Sequence, residues 1–147
     1  MTTMKARYWT LAEAQETAAR LLALLAPACE RTEIAGSIRR SKDQVGDVEL
    51  LAIPKTVQRP ADLFGATTQH DLLDERVRFL IAKGTLAYRL NVKGSQTYGS
   101  LNKFLLDTET GMGLDLFSTT KENWGMAMVV RTGSAEFNKR FMAHLLA

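Results

Sequence analysis

Two carboxylates spaced two residues apart in an otherwise apolar run, Asp47-Val48-Glu49-Leu50-Leu51-Ala52-Ile53, constrain this chain more than any other feature. The run reads as a strand, Val48–Ile53, stopped by Pro54. On a strand, residues i and i+2 share a face. Asp47 and Glu49 therefore stand side by side, while Val48, Leu50 and Leu51 pack the sheet. Adjacent anions repel each other, and a cation between them relieves the repulsion. Oxygen-only donors suit Mg²⁺, which takes one or two carboxylates together with substrate phosphates. Just upstream, Gly36-Ser37-Ile38-Arg39-Arg40 supplies a small-residue turn and two arginines able to hold those phosphates. The pattern predicts metal-dependent chemistry on a nucleoside triphosphate.

The rest of the chain supplies a scaffold for that strand. Thr10 and Glu13 form a capping-box pair. Leu11, Ala14, Ala18, Leu21, Leu22 and Leu25 then keep a helical period, ended by Pro27. Arg31–Ala35 reads as a short strand and Gln58–Thr68 as a loop. His70–Lys83 reads as a second helix with Gly84 past its end. Leu86–Val92 alternates as a strand. Lys103–Asp107 and Met112–Ser118 flank Asp107-Thr108-Glu109-Thr110-Gly111, a hairpin connection. Glu122–Val130 and Ser134–Leu146 read as closing helices around Arg131-Thr132-Gly133. The expectation is one α+β domain over 1–147, with a small antiparallel or mixed sheet and helices mainly on one face.

Composition sets the limits of what this scaffold can do. The 147 residues are 46% hydrophobic and 24% charged, an ordinary globular balance for one core. A formal charge of +3 permits a nucleic-acid partner without demanding one. Cys29 is the only cysteine, which excludes an intrachain disulfide and a cysteine-rich zinc site. Met1–Thr10 has no apolar core like a signal peptide, and Leu21–Ala28 is too short to span a bilayer. A cytoplasmic protein without a membrane partner is expected. His70 and His144 read as surface residues, Trp124 as helix packing, and Lys93-Gly94-Ser95-Gln96 as a turn.

A third acid stands in Gly113-Leu114-Asp115-Leu116-Phe117, again an apolar strand. An unpaired acid facing a core is costly. Beside the first acidic strand, Asp115 would complete a triad with Asp47 and Glu49. Three carboxylates can hold two Mg²⁺ ions about 3.5–4 Å apart, the spacing used for in-line phosphoryl displacement.

Gly-Ser-x-Arg-Arg, Gly46-Asp47-Val48-Glu49, Leu114-Asp115-Leu116-Phe117 and Thr132-Gly133-Ser134-Ala135-Glu136-Phe137-Asn138-Lys139 follow in one order. Together they resemble the palm of the family X DNA polymerases, the DNA polymerase beta group of the nucleotidyltransferase superfamily. The resemblance implies that Asp47 and Glu49 bind both metals, Mg²⁺ or Mn²⁺. It implies that Asp115 binds the catalytic metal and helps activate an attacking 3′-hydroxyl. By the same resemblance, Gly36, Ser37, Arg40 and the Gly46 backbone contact the triphosphate. Gly133, Ser134 and Asn138 lie along the sugar and base. The implied reaction is attack of a primer hydroxyl on the α-phosphate of an NTP or dNTP, with loss of pyrophosphate, on primed or gapped DNA.

Three positions depart from the family pattern. Glu49 stands for the usual Asp, Val130-Arg131 for an aromatic pair that excludes ribose, and Gly113 for an arginine two residues before the third acid. Lyase, fingers and most thumb-like regions have no counterpart in the sequence, so a distributive enzyme, a protein partner supplying the DNA grip, or a fragment of a longer protein is expected. The resemblance also implies a bacterial or phage origin. Two alternatives stand beside DNA synthesis: transfer to a protein or small-molecule hydroxyl, and a non-catalytic nucleotide- or nucleic-acid-binding module.

Overall fold

The computed structural model describes residues 7–146. In chain order, the elements are β1 (Trp9–Thr10), α1 (Leu11–Leu25), a 3₁₀ turn (Ala26–Ala28), β2 (Cys29–Ala35), α2 (Gly36–Arg39), β3 (Gln44–Val45) and β4 (Asp47–Pro54). Then come β5 (Thr56–Pro60), β6 (Thr67–Asp71), α3 (Leu72–Lys83), β7 (Leu86–Tyr88), β8 (Asn102–Asp107), β9 (Gly113–Ser118), α4 (Trp124–Thr132) and α5 (Ala135–Leu146). The architecture is α+β.

The capping box opens α1 as the sequence requires. The Glu13 amide donates to Thr10 Oγ1 at 3.1 Å, and the Thr10 amide donates to Glu13 Oε1 at 3.2 Å. Pro27 lies in the 3₁₀ turn that ends the helix. Gly84 stops α3 in the left-handed conformation, φ 87°, which glycine adopts without a Cβ penalty.

Five strands form the main sheet in the order β2-β4-β9-β8-β7. Only β4 and β9 run parallel, so the sheet is mixed. Both faces of β4 are used. Val48, Leu50 and Ala52 join Leu114, Leu116 and Leu105 in the core beneath α1 and α3. Leu51 and Ile53 point the other way and pack with Phe117 and Trp124 under α4. Helix cover is therefore two-sided, in contrast to the expected one-sided layer, because β4 is apolar at successive positions rather than at alternate ones.

Several boundaries differ from the sequence reading. Gln58–Thr68 is no plain loop: β5 and β6 pair antiparallel from Thr56↔Asp71 to Pro60↔Thr67. Both strands are polar and largely exposed, so no burial alternation reveals them. The tip folds on Asp62, whose Oδ1 accepts from the Phe64 and Ala66 amides at 2.7 and 3.2 Å. His70 lies in β6, where Nε2 pairs with Thr68 Oγ1 at 3.0 Å, and Asp71 caps α3 by accepting from the Asp74 amide. The strand expected over Leu86–Val92 ends at Tyr88; Asn91 Oδ1 then gathers the Lys93 and Ser95 amides into a turn. Among the described residues, no helix is long and apolar enough to cross a membrane.

Candidate functional site

The parallel pairing of β4 with β9 builds the site. Asp47 lies opposite Gly113, and Glu49 lies opposite Asp115. Registered residues of neighbouring strands share a face. All three acids consequently stand on the face that carries Leu51 and Phe117. α4 covers the Leu51–Phe117 end of that face.

One row of residues crosses the whole sheet through the acids. Ala35 pairs with Glu49, Glu49 with Asp115, and Asp115 with Phe104; Arg89 comes next, its amide donating to the Phe104 carbonyl at 3.3 Å. The Arg89 side chain runs back along this row. Its Cζ lies 5.0 Å from the Phe104 ring centroid, Nη2 donates to Asp115 Oδ1, and Nη1 lies 3.5 Å from Asp47 Oδ1. A guanidinium thus bridges two members of the acid set. Nη1 itself is buried without a hydrogen-bond partner.

Gly113 makes room for that bridge. A Cβ on residue 113 would overlap Arg89 Nη1 and Asp47 Oδ1. The space over Gly113 is filled by Arg89, which lies one residue past the end of β7. The sequence reading missed Arg89. The alternation in Leu86-Ala87-Tyr88-Arg89 already sends Arg89 to the face opposite Leu86 and Tyr88, but only the strand order shows that the acids are on that face.

The acids carry the electrostatic signature of a crowded site. Burial, reinforced by repulsion from Asp115 and Asp47, pushes the Glu49 carboxyl up to about 7, against the opposing pull of Arg40 and Arg131. Burial likewise raises Asp115, although Arg89 pulls it down. Gly36, at φ +66°, lies so close that a Cβ there would be 2.6 Å from both Glu49 Cδ and Oε2.

A second group of predicted residues meets around a hollow of about 700 Å³ beside α4. Arg39, Arg40 and Lys42 are its cations and Glu136 its one acid, with Gly133 and Ser134 beside them and Met128, Val129 and Phe137 as its apolar wall. Arg40 Nη1 also donates to the Thr132 carbonyl at 2.8 Å, tying α2 to the last turn of α4. Ser134 Oγ accepts from the Phe137 amide at 3.0 Å and caps α5. Asn138 Nδ2 donates to the Val130 carbonyl at 2.6 Å; Asn138 Oδ1 is buried without a partner.

Ser37, Gly46 and Asn138 do not line this hollow. Ser37 sits inside α2, where its carbonyl accepts from the Lys42 amide, and Gly46 lies between β3 and β4 with open space where a Cβ would be. The Gly-Ser segment expected as a turn is thus a single helical turn. The sequence assigns Lys42, Met128, Val129 and Phe137 no place at this hollow, because nothing in their spacing distinguishes them from solvated or packing residues. Trp124 is buried in the small core beneath α4, as its packing reading requires.

The donor set is carboxylate oxygen only, which suits a hard divalent cation. In the described arrangement, no three acidic, histidine or cysteine side chains are gathered closely enough to grip an ion. No protein-family model matches the chain, and no curated protein is significantly similar to it.

Proposed function

We propose that this chain is a metal-dependent nucleotidyltransferase with the palm fold of the DNA polymerase beta group. One observation carries the proposal: Asp115, sixty-six residues beyond Glu49 (115 − 49), pairs with it in register on a shared face with Asp47. A structural role does not call for three carboxylates on neighbouring strands, two of them raised by burial and mutual repulsion.

Asp47, Glu49 and Asp115 would hold Mg²⁺, or Mn²⁺ in its place, which when bound neutralises triphosphate charge and acidifies the attacking hydroxyl. The chain's own residues position and screen. Arg39, Arg40 and Lys42 draw the anionic tail of an NTP or dNTP toward the hollow beside α4. Met128, Val129 and Phe137 give its neutral part an apolar wall. An acceptor 3′-hydroxyl then attacks the α-phosphorus; a new P–O bond forms, the α–β bridging P–O bond breaks, and pyrophosphate leaves with its electron pair. The hydroxyl proton passes toward the carboxylate cluster. The catalysis is positioning plus charge neutralisation, with no covalent enzyme intermediate.

DNA repair synthesis on primed or gapped DNA is the reading that the resemblance favours, with a partner protein supplying grip on the duplex. A non-catalytic nucleotide-binding module is the second reading, and Arg89 favours it by already neutralising part of the acid set. One panel separates them: each labelled nucleotide with Mg²⁺ or Mn²⁺, offered to single-stranded, primed and gapped DNA, to RNA and to protein. Extension that vanishes in Asp47→Asn and Asp115→Asn, with folding intact by circular dichroism, is the expected result. Turnover retained in either variant would sink the transferase reading; tight nucleotide binding without product would favour the module.

A further inference from the structure

α4 separates two hollows of different chemistry. The larger one is lined by three cations, Arg39, Arg40 and Lys42, and by one acid, Glu136, which is already paired with Arg140 at 2.6 Å. The other, about 320 Å³, lies between α4 and the Phe117–Thr119 end of β9. Its lining is neutral and mixed, with Asn102, Ser118 and Asn123 beside Leu101 and Met126, except for one cation, Arg131.

Arg131 is held but unspent. Its Cζ lies 3.8 Å from the Phe117 ring centroid, so the guanidinium is stacked on a residue two positions beyond Asp115. The carbonyls on either side of it, Val130 and Thr132, are taken by Asn138 and Arg40. Arg131 itself enters no ion pair and donates no side-chain hydrogen bond among the described residues. Its charge nevertheless reaches Glu49 and Asp115, opposing the rise of both carboxyls. A stacked guanidinium keeps its N–H edge free and pre-oriented for a planar or tetrahedral anion.

Resting on the transferase reading above, we infer that the neutral hollow is the acceptor site and takes a nucleic-acid strand, whose terminal phosphodiester is held by Arg131. The division follows from charge. A triphosphate carries several negative charges and belongs with the three-cation hollow. A strand end contributes one phosphate beside a sugar and a base, which matches one guanidinium beside amides, a hydroxyl and apolar wall.

The test uses a fluorescein-labelled single-stranded oligonucleotide in EDTA without nucleotide, so binding is read apart from turnover. Arg131→Gln should weaken binding about tenfold and lower the salt dependence by the equivalent of about one phosphate. Arg131→Lys should recover part of the affinity. A neutral methylphosphonate at the 3′-terminal linkage should weaken the wild type similarly and leave Arg131→Gln indifferent. In turnover, Arg131→Gln should raise KM for the strand and leave KM for the nucleotide within about twofold. Four results overturn the inference: no strand binding by the wild type, unchanged strand binding in folded Arg131→Gln, a methylphosphonate effect that persists in Arg131→Gln, or a change confined to nucleotide KM. The two readings fail separately. Arg131-dependent strand binding with no nucleotide transfer would reject the transferase and leave the strand site standing; transfer with unaltered strand KM in Arg131→Gln would do the reverse.

Discussion

At the scale of single residues, the site depends on two glycines whose missing side chains are occupied by charged neighbours. Gly113 leaves space for both Arg89 and Asp47. Gly113→Ala should destabilise the fold by about 1–3 kcal/mol through overpacking and should slow nucleotide transfer by displacing the bridge. The cost should be at least about 1 kcal/mol smaller in an Arg89→Ala background, because contacting residues couple. Urea unfolding of the two single variants and the double variant measures this; additive costs would show that Arg89 does not fill the space over Gly113. Gly36 combines a left-handed backbone with close approach to Glu49. Gly36→Ala should therefore cost about 1–2 kcal/mol from the positive φ alone and turn the Glu49 carboxylate away. Near-wild-type stability and transfer rate in Gly36→Ala would contradict that placement.

At the scale of elements, α4 is the piece whose position matters most, since its flanks line both hollows. Its last turn is clamped from two sides, by Arg40 on the Thr132 carbonyl and Asn138 on the Val130 carbonyl. Arg40→Ala should weaken triphosphate binding by about 1.5–3 kcal/mol, the range for a lost charged hydrogen bond, and weaken nucleoside binding much less. Calorimetric titration of the two ligands compares them; equal losses would assign Arg40 to the clamp alone. The elements also show what a sequence can and cannot declare. The capping box, the Pro27 stop, the Gly84 stop and the acidic strand announce themselves through local chemistry, and each lies where that chemistry puts it. The β5–β6 arm does not, because Gln58, Thr67, Thr68 and Gln69 bury nothing and leave no periodic trace. The acid pair was legible from i, i+2 spacing, and Asp115 from its cost in an apolar strand. Arg89 was illegible for a different reason: its role depends on strand order and on a glycine in β9, a long-range coincidence with no local signal.

At the scale of the whole molecule, two sets of buried acids pull stability in opposite directions with pH. Burial alone would raise Asp107, but the hydrogen bonds from Arg20 and Thr110 outweigh it and hold the carboxyl below its ordinary 3.8. A depressed acid contributes stability that is present above the unfolded value and lost as pH falls. Glu49 is the reverse case, moved from 4.5 to about 7 by burial first and by Asp115 and Asp47 second. A raised acid contributes stability fully present below 4.5, which is lost as pH rises through about 7. The metal-free protein should therefore be most stable near pH 5 and should lose at most ~3 kcal/mol toward pH 8 from Glu49. Glu49→Gln, which keeps the shape and removes the ionisation, should flatten the alkaline side and leave the acid side to Asp107. Mg²⁺ should stabilise the wild type more at pH 8 than at pH 5.5, because the cation favours the ionised carboxylates that burial disfavours. Urea midpoints across pH 4–9, with and without Mg²⁺ and for both proteins, measure all three effects. An alkaline decline that persists unchanged in Glu49→Gln would mean that the strain of the acidic face lies elsewhere than in the carboxylate pair on β4 and β9.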